Sequence, residues 1–233
     1  FVPVVAFFYR EPRGSRPDSA VWTTARQQLK AVLGSRAMWG ATLLLFLVYL
    51  APGLQTAMLY YQTDVLKFDP RFIGLLQTLQ GAAGILGAAT YAYLCRRLTL
   101  KVSLVVGIVL NAASGLLYLR YDSAVAAAII DTTAAYLTVL ATMPLYDLAA
   151  RATPPGLESF GFSLMMSIRN VAIFAISDYT GSYLYDHYHV GFKPLVWINS
   201  GSSAAVLLFV PLLPAALLAA REDDRHAATS PPA

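Results

Sequence analysis

The chain has 233 residues, of which 57% are hydrophobic and only 13% are charged, and its mean hydropathy is +0.56. This composition excludes an ordinary soluble domain, which could not bury so large an apolar fraction, and it indicates a membrane protein. The net charge of +4 does not indicate nucleic-acid binding, because the basic residues cluster between the hydrophobic segments, where membrane topology places them.

Short polar and terminal segments flank a long hydrophobic region. Residues 1–9 are apolar but stop at Arg10, and because about 20 residues are needed to cross a bilayer, we interpret them as the end of a preceding transmembrane helix. Residues 10–36 are predicted to form a cytosolic linker; an amphipathic helix at 20–33 lying on anionic lipid is the alternative. Residues 221–233 are predicted to be a disordered cytosolic tail. The chain is therefore expected to be part of a longer protein.

Six apolar segments within residues 37–220 are each long enough to cross a bilayer of about 30 Å. Basic residues are concentrated in alternate connections, which predicts that both ends of the six-helix unit lie in the cytoplasm or its organellar equivalent. The predicted fold is an all-α, multi-pass integral membrane protein. The predicted spans are approximately 37–61, 72–94, 100–119, 124–148, 160–183 and 194–220.

Two six-helix halves joined by a long basic cytosolic loop are the plan of the major facilitator superfamily, and this chain resembles the second half with the joining loop. The predicted fold is therefore one half of a major facilitator fold, with the N-terminal six-helix half missing.

The first span contains Ala51-Pro52-Gly53 near its middle. Proline removes a backbone donor, so we expect a broken helix whose freed carbonyl is satisfied by Gln55 and Thr56. A broken helix at mid-membrane is one way to build a substrate site, which makes Gln55 a substrate-binding candidate. A packing kink without a ligand is the equal alternative.

The second span carries four glycines and two glutamines. Gly84 and Ala88 form a small-xxx-small pair, which predicts close packing against a neighbouring helix together with Gly74, Gly81 and Gly87. Buried amides need hydrogen-bond partners, so Gln77 and Gln80 are substrate-binding candidates.

The fourth and fifth spans hold charged residues at membrane depth, where each costs about 2.5–3.5 kcal/mol on insertion scales. Counted from the predicted inner helix ends, Asp147 lies at the edge, Arg169 about 13 Å up, Asp131 about 25 Å up and Asp178 about 27 Å up. At 100° per residue, Arg169 and Asp178 are expected on opposite faces. Arg169 therefore needs a counter-charge elsewhere. An anionic substrate is one candidate, and an ion pair with the missing half is the alternative.

Asp131 and Asp178 have similar predicted heights on helices adjacent in sequence, so they are proton-coupling candidates that could share a proton. The alternative is that they lie in the outer headgroup zone, paired with Lys193 or Arg120. Asp147 and Arg151, at the inner end, are predicted to form an inner gate or a structural clamp.

The sequence contains no recognisable catalytic or metal-binding motif. Asp186-His187-Tyr188-His189 is predicted to be a solvated outer loop, because no further metal ligands accompany it. Phosphate-loop, GxSxG and HExxH motifs do not occur. The single cysteine, Cys95, excludes an internal disulfide. We therefore predict that the chain is not an enzyme and uses no metal or cofactor.

The stretch MPLYDLAARATPPGLESFGFSLMMSIRN (143–170) resembles the matching hairpin of the folate-biopterin transporter family, and residues 76–101 resemble the helix-eight-to-nine region of the same family, with its basic inner loop. The hairpin has an Asp and an Arg at one helix end, a Thr-Pro-x-Gly-x-Glu turn and a Met-rich helix with an Arg-Asn pair. The resemblance implies carriage of folates or pterins with protons, in the plasma membrane or a plastid envelope. It also implies that Asp147, Arg151, Arg169 and Asn170 are functional positions.

The function expected from these features is secondary active transport of folates or pterins. One carboxylate, such as that of Asp131, can accept both the ring N–H and the exocyclic amine of a pterin, while a cation such as Arg169 can hold the glutamate tail of folate. The two residues differ in predicted height by about 11 Å. Alternatives are a facilitator for a sugar, amino acid or drug, and a non-transporting half-size scaffold.

Overall fold

The computed structural model describes residues 29–30, 32–154 and 156–212. The predictions for residues 1–9, for most of the linker at 10–36 and for the tail at 221–233 lie outside the described residues. Within them the secondary structure is helical, with no strand. The main helices are α1 (Arg36–Tyr49), α2 (Gln55–Tyr60), α3 (Pro70–Leu94), α4 (Leu100–Leu117), α5 (Ala124–Ala152), α6 (Glu158–Asn170), α7 (Asp178–Asp186) and α8 (Phe192–Ala205).

Local side chains define several helix starts. The Ser35 side chain accepts a hydrogen bond from the Met38 N–H at the start of α1, and Ser123 does the same for the Ala126 N–H at the start of α5. Asp69 caps α3, where Pro70 occupies the first helical turn and needs no N–H donor there. At these three helices a short polar side chain or its neighbouring proline specifies where the helix begins.

Within the described residues, two π-helical segments depart from a regular α-helix. One, Tyr61–Val65, continues α2, and the other, Val171–Ser177, joins α6 to α7 without interruption. A π-helix has more residues per turn than an α-helix, so it rotates the side chains that follow it. Short 3₁₀ segments extend α4 (Tyr118–Arg120) and α8 (Val206–Leu212).

Five helices of the described chain are long and apolar enough to cross a membrane. They correspond to the predicted second to sixth spans. The predicted first span is interrupted at residues 50–54, so that α1 is a shorter apolar helix and α2 a separate one. Pro52 and Gly53 lie in this interruption, as the sequence predicts.

Helix α5 is the centre of the bundle and packs against α3 and α4, while α4 also packs against α8. Small residues permit these approaches. A Cβ at Gly87 would lie 2.9 Å from the carbonyl oxygen of Tyr136, and one at Gly107 would lie 3.1 Å from the Cα of Ala141. The predicted close packing through the glycines of α3 is confirmed for Gly87, and a Cβ at Gly84 would contact Val139 at 3.4 Å. Gly74 and Gly81 instead face open space.

Buried apolar side chains form two clusters at opposite ends of α5. The larger one joins α1, α4, α6 and the last turns of α5, around Leu45, Leu148 and Met165. The smaller one surrounds Tyr121 and Leu76 at the other end.

Candidate functional site

A cavity of about 670 Å³ opens among α2, α3, α4, α5, α7 and α8. It brings together five residues that the sequence singles out: Gln55, Gln77, Gln80, Asp131 and Asp178. Gln77 is exposed and Gln80 half-buried, so these amides are open to the cavity, whereas the sequence predicts that they are buried. Further polar lining residues that the sequence analysis missed are Asn111, Ser114, Tyr118, Thr138 and Asn199. Each of them is a polar residue within an apolar segment, and this sequence feature could have identified them.

Asp131 is the buried carboxylate of this cavity, with only 2% of its surface exposed. The Tyr121 hydroxyl donates a 2.8 Å hydrogen bond to Asp131 Oδ2, and the Gln62 Nε2 donates to the Tyr121 hydroxyl at 2.6 Å. Burial raises the pKa of Tyr121, and the hydrogen bond to Asp131 raises it further, so the phenol stays protonated and remains a donor. Asp131 is predicted from the sequence as a functional residue, but neither of these supporting residues is.

The predicted alternative partners of Asp131 are not found beside it. Among the described residues, no Lys or Arg nitrogen lies within 4 Å of Asp131 or Asp178, and neither Lys193 nor Arg120 pairs with them. Tyr118 and Gln80 are also within reach of the Asp131 carboxylate. The donors that the described residues offer to Asp131 are therefore neutral, and no described cation pairs with it.

Replacing Tyr121 by phenylalanine is expected to destabilise the fold, because the buried Asp131 carboxylate loses its 2.8 Å donor. The loss of a hydrogen bond to a buried charged group corresponds to about 1–3 kcal/mol. Thermal unfolding of the purified protein in detergent would measure it, with the exposed Tyr93→Phe as a control that is expected to leave the midpoint unchanged. Equal midpoints for the two variants would contradict the role assigned to Tyr121.

The interruption between α1 and α2 is held by side chains from the far end of the chain. Ser177 Oγ donates to the Ala51 carbonyl at 2.5 Å, and Asn199 Nδ2 donates to the Pro52 carbonyl at 2.7 Å. The Gly53 N–H donates to the Ser177 carbonyl at 2.7 Å. The carbonyls freed by the break thus accept hydrogen bonds from other helices. The prediction that the local residues Gln55 and Thr56 satisfy them is not what the structure shows.

Asp178 caps the second part of the broken helix. Its Oδ1 accepts from the Thr56 N–H at 3.3 Å and its Oδ2 accepts from the Thr56 hydroxyl at 2.9 Å. A carboxylate at the first turn of α2 also interacts favourably with the helix dipole. Asp178 and Asp131 line the same cavity but have different donors, and their sharing of a proton remains a prediction.

Arg169 lies outside the residues that line the cavity, on the α6 side of the π-helical segment. Its guanidinium carbon lies 4.3 Å from the centre of the Tyr49 ring and 5.5 Å from that of Tyr146. Its Nη1 donates to Asn170 Oδ1 at 3.2 Å, while its Nε is buried without a hydrogen-bond partner among the described residues.

Arg169 and Asp178 were expected on opposite faces of one α-helix. In the structure both side chains contact the interrupted first helix, Arg169 through Tyr49 of α1 and Asp178 through Thr56 of α2. The π-helical segment Val171–Ser177 explains the difference, because its residues do not each turn by 100°.

Asp147 and Arg151 form a bidentate ion pair one turn apart on α5. Arg151 Nη2 lies 2.6 Å from Asp147 Oδ2, and Arg151 Nε lies 2.7 Å from Asp147 Oδ1. The Tyr91 hydroxyl of α3 donates to Asp147 Oδ2 at 3.4 Å. This arrangement joins α5 to α3 and fits the predicted structural clamp; a gating role remains a prediction.

The predicted outer loop at Asp186-His187-Tyr188-His189 has an exposed surface. The His187 ring stacks on Tyr183 at 4.9 Å. Together with Asp186 and Asp64 it lines a second cavity of about 590 Å³, which shares Thr56 with the first. No group of three or more potential metal ligands occurs in the described part of the chain.

The sequence of the chain is similar to those of a known protein family. The BT1 family matches residues 19–232. The chain is 31% identical over 221 residues to a folate-biopterin transporter of Synechocystis sp., covering 88% of this chain and 43% of that protein. It is 30% identical over 161 residues to the probable folate-biopterin transporter 4 of Arabidopsis thaliana, covering 65% of this chain and 31% of that protein.

The chain thus spans less than half the length of these two curated relatives. No solved structure matches it. The relatives are named as transporters and not as enzymes, and the resemblance of the hairpin at residues 143–170 to the folate-biopterin transporters is confirmed. With its apolar helices and the family match over most of its length, the chain is a multi-pass integral membrane protein and belongs to the BT1 family.

Proposed function

We propose that this chain supplies the C-terminal half of a secondary active transporter of folates or pterins, which is proton-coupled and works by alternating access. The observation that carries the proposal is the cavity of about 670 Å³ with amides, hydroxyls and two carboxylates in its wall. Its volume lies within the range of about 300–1,000 Å³ that is typical of small-molecule sites. The family membership and the names of the relatives support the substrate class.

Asp131 is the group proposed to bind the pterin ring. A carboxylate can accept the ring N–H and the exocyclic amine of a pterin together, as a charge-assisted pair of hydrogen bonds. Gln77 and Gln80 of α3 line the same cavity and supply both donors and acceptors for the ring carbonyl and nitrogens. Gln55, at the start of α2, is proposed to contribute from the opposite wall.

Alternating access is proposed to use the break between α1 and α2. The break and the start of α2 form hydrogen bonds with Ser177, Asp178 and Asn199. When these bonds are exchanged for others, α1 and α2 can move relative to each other. Discontinuous helices at mid-membrane form substrate sites in several transporter folds. The broken helix is therefore both part of the cavity wall and the element proposed to move.

Uptake of labelled folate and labelled biopterin tests the proposed substrate class. The complete gene product that carries this chain would be expressed in cells without endogenous folate uptake, and competition with unlabelled folate, biopterin, a sugar, an amino acid and a cationic drug would be measured. We expect only folates and pterins to compete. Uptake that is inhibited by one of the other solutes, or no uptake above control cells, would contradict the proposal.

Substituting Asp131 by asparagine is expected to lower uptake, because the ring loses the carboxylate that accepts its N–H groups, and to remove the pH dependence of the uptake that remains. With proton coupling, uptake by the parent protein falls as external pH rises, because protons become scarce; a side chain that cannot exchange a proton abolishes this fall. Initial rates between pH 5 and pH 8 would be compared, with the exposed Asp122→Asn as a matched control that keeps the parent profile. An unaltered profile in Asp131→Asn would exclude Asp131 as the proton carrier, and Asp178→Asn would then be measured.

A further inference from the structure

One face of α5 carries polar side chains from the cavity towards the inner end of the bundle. Asp131, Thr138, Thr142 and Tyr146 are separated by seven, four and four residues, which places them within about 80° of each other on the helix. Asp131 and Thr138 line the cavity. The Tyr49 hydroxyl donates to Thr142 at 3.3 Å, and the Tyr146 ring lies beside Arg169. These side chains mark one polar face of α5, which rises by about 22 Å from Asp131 to Tyr146.

Arg169 lies beside Tyr146, and most of its N–H donors have no partner among the described residues. A guanidinium has five N–H donors, and Asn170 takes one of them. The Nε–H is buried without a partner, and no carboxylate oxygen of the described residues lies within 4 Å of the guanidinium. Unsatisfied buried donors cost free energy, so this arrangement favours an acceptor that the described residues do not provide.

Two tyrosine rings lie beside the guanidinium of Arg169. Tyr49 belongs to α1 and Tyr146 to α5, and both lie within the distance at which a cation is attracted to an aromatic face. The N–H groups along the edge of the guanidinium are the place for an acceptor, since the Nε–H has no partner among the described residues. A carboxylate matches this edge, because its two oxygens accept a parallel pair of N–H bonds.

We infer that Arg169, whose guanidinium lies against the Tyr49 and Tyr146 rings, binds the tail carboxylate of an elongated substrate whose ring lies in the cavity near Asp131, and thereby separates folates from pterins that lack a carboxylate. This inference rests on the proposed function. It assigns Arg169 a specificity-determining role: a pterin without a carboxylate occupies the ring site alone and gains nothing from Arg169.

Paired transport kinetics with folate and biopterin test this role. In the complete gene product, Arg169→Lys keeps the charge but removes the planar pair of donors, and Arg169→Met removes both. We expect the KM for folate to rise by about 10- to 100-fold in Arg169→Met and by less in Arg169→Lys, while the KM for biopterin changes by less than about twofold. Arg97→Met is the matched control, because Arg97 also stacks on a tyrosine, at 4.6 Å from the Tyr93 ring, but is exposed to solvent.

Three outcomes would overturn the inference. Equal losses for folate and biopterin would make Arg169 a structural residue, and an unchanged KM for folate would remove it from the binding site. Variants that transport neither substrate would be purified, and binding of folate and biopterin measured by fluorescence quenching; biopterin binding lost together with folate binding would also contradict it. If the parent protein transports neither compound, the proposed function fails, which is a different result from a failure of Arg169 to discriminate.

Discussion

Replacing Gly181 by valine is expected to prevent α7 from packing against the broken helix. A Cβ at Gly181 would lie 2.8 Å from the carbonyl carbon and 2.9 Å from the nitrogen of Gly53, and closer still to the Gly53 carbonyl oxygen. All of these are backbone atoms, so a change of rotamer cannot relieve the contact. Overpacking of this kind costs about 1–3 kcal/mol or more. Helix α7 and the segment around Gly53 must then move apart, and the hydrogen bonds between them are lost.

The yield of monodisperse protein in detergent and the midpoint of thermal unfolding would measure this effect. Gly201→Val is the matched control, because Gly201 is also in a helix and a Cβ there meets nothing within 4 Å. We expect the control to unfold like the parent protein. If Gly181→Val unfolds at the same temperature as Gly201→Val, the close contact between α7 and Gly53 is not a feature of the folded protein.

Removing the Asp178 carboxylate is expected to release the second part of the broken helix and to reduce transport strongly. The bond that it accepts from the Thr56 hydroxyl is 2.9 Å long, and it also accepts from the Thr56 N–H. We predict that Asp178→Ala and Thr56→Val are each destabilising and that their effects are not additive. The coupling free energy should be about 1–3 kcal/mol, the range for hydrogen bonds to a charged group.

A double-mutant cycle on the purified protein would measure that coupling. Thr63→Val is the matched control in the same segment, because the Thr63 hydroxyl bonds to the Leu59 carbonyl of its own helix and to Asp64. Asp178→Ala and Thr63→Val are expected to combine additively. Additive effects of Asp178→Ala and Thr56→Val would instead mean that Asp178 does not hold α2 in place.

The helical membrane fold could be predicted from local sequence features. Long apolar runs separated by short polar turns specify α3, α4, α5 and α8, and capping residues such as Ser123 and Asp69 specify where two of them begin. The interruption of the first span followed from Pro52, since proline has no N–H to donate. These features act within a few residues of each other, so no knowledge of the packing was needed.

The cavity could be predicted in part. Asp131, Asp178, Gln77, Gln80 and Gln55 were identified because polar groups at membrane depth are costly unless they have a partner or a function. Their partners could not be identified from the sequence. Tyr121 lies ten residues before Asp131 along the chain, and Thr56 lies 122 residues before Asp178. Many tyrosines and threonines are available for such contacts, and only the packing of the helices selects among them.

The sequence by itself determined which segments are helical, where the first helix breaks and which charges must be accommodated, because these properties depend on local hydrophobicity and backbone chemistry. Tertiary structure decided which groups meet. The π-helical segment Val171–Ser177 turns Asp178 towards Thr56, and side chains from α8 and from this segment bond the carbonyls of the break. A count of 100° per residue could not reveal this, because it assumes a regular α-helix throughout, whereas the residues of a π-helical turn each rotate by less.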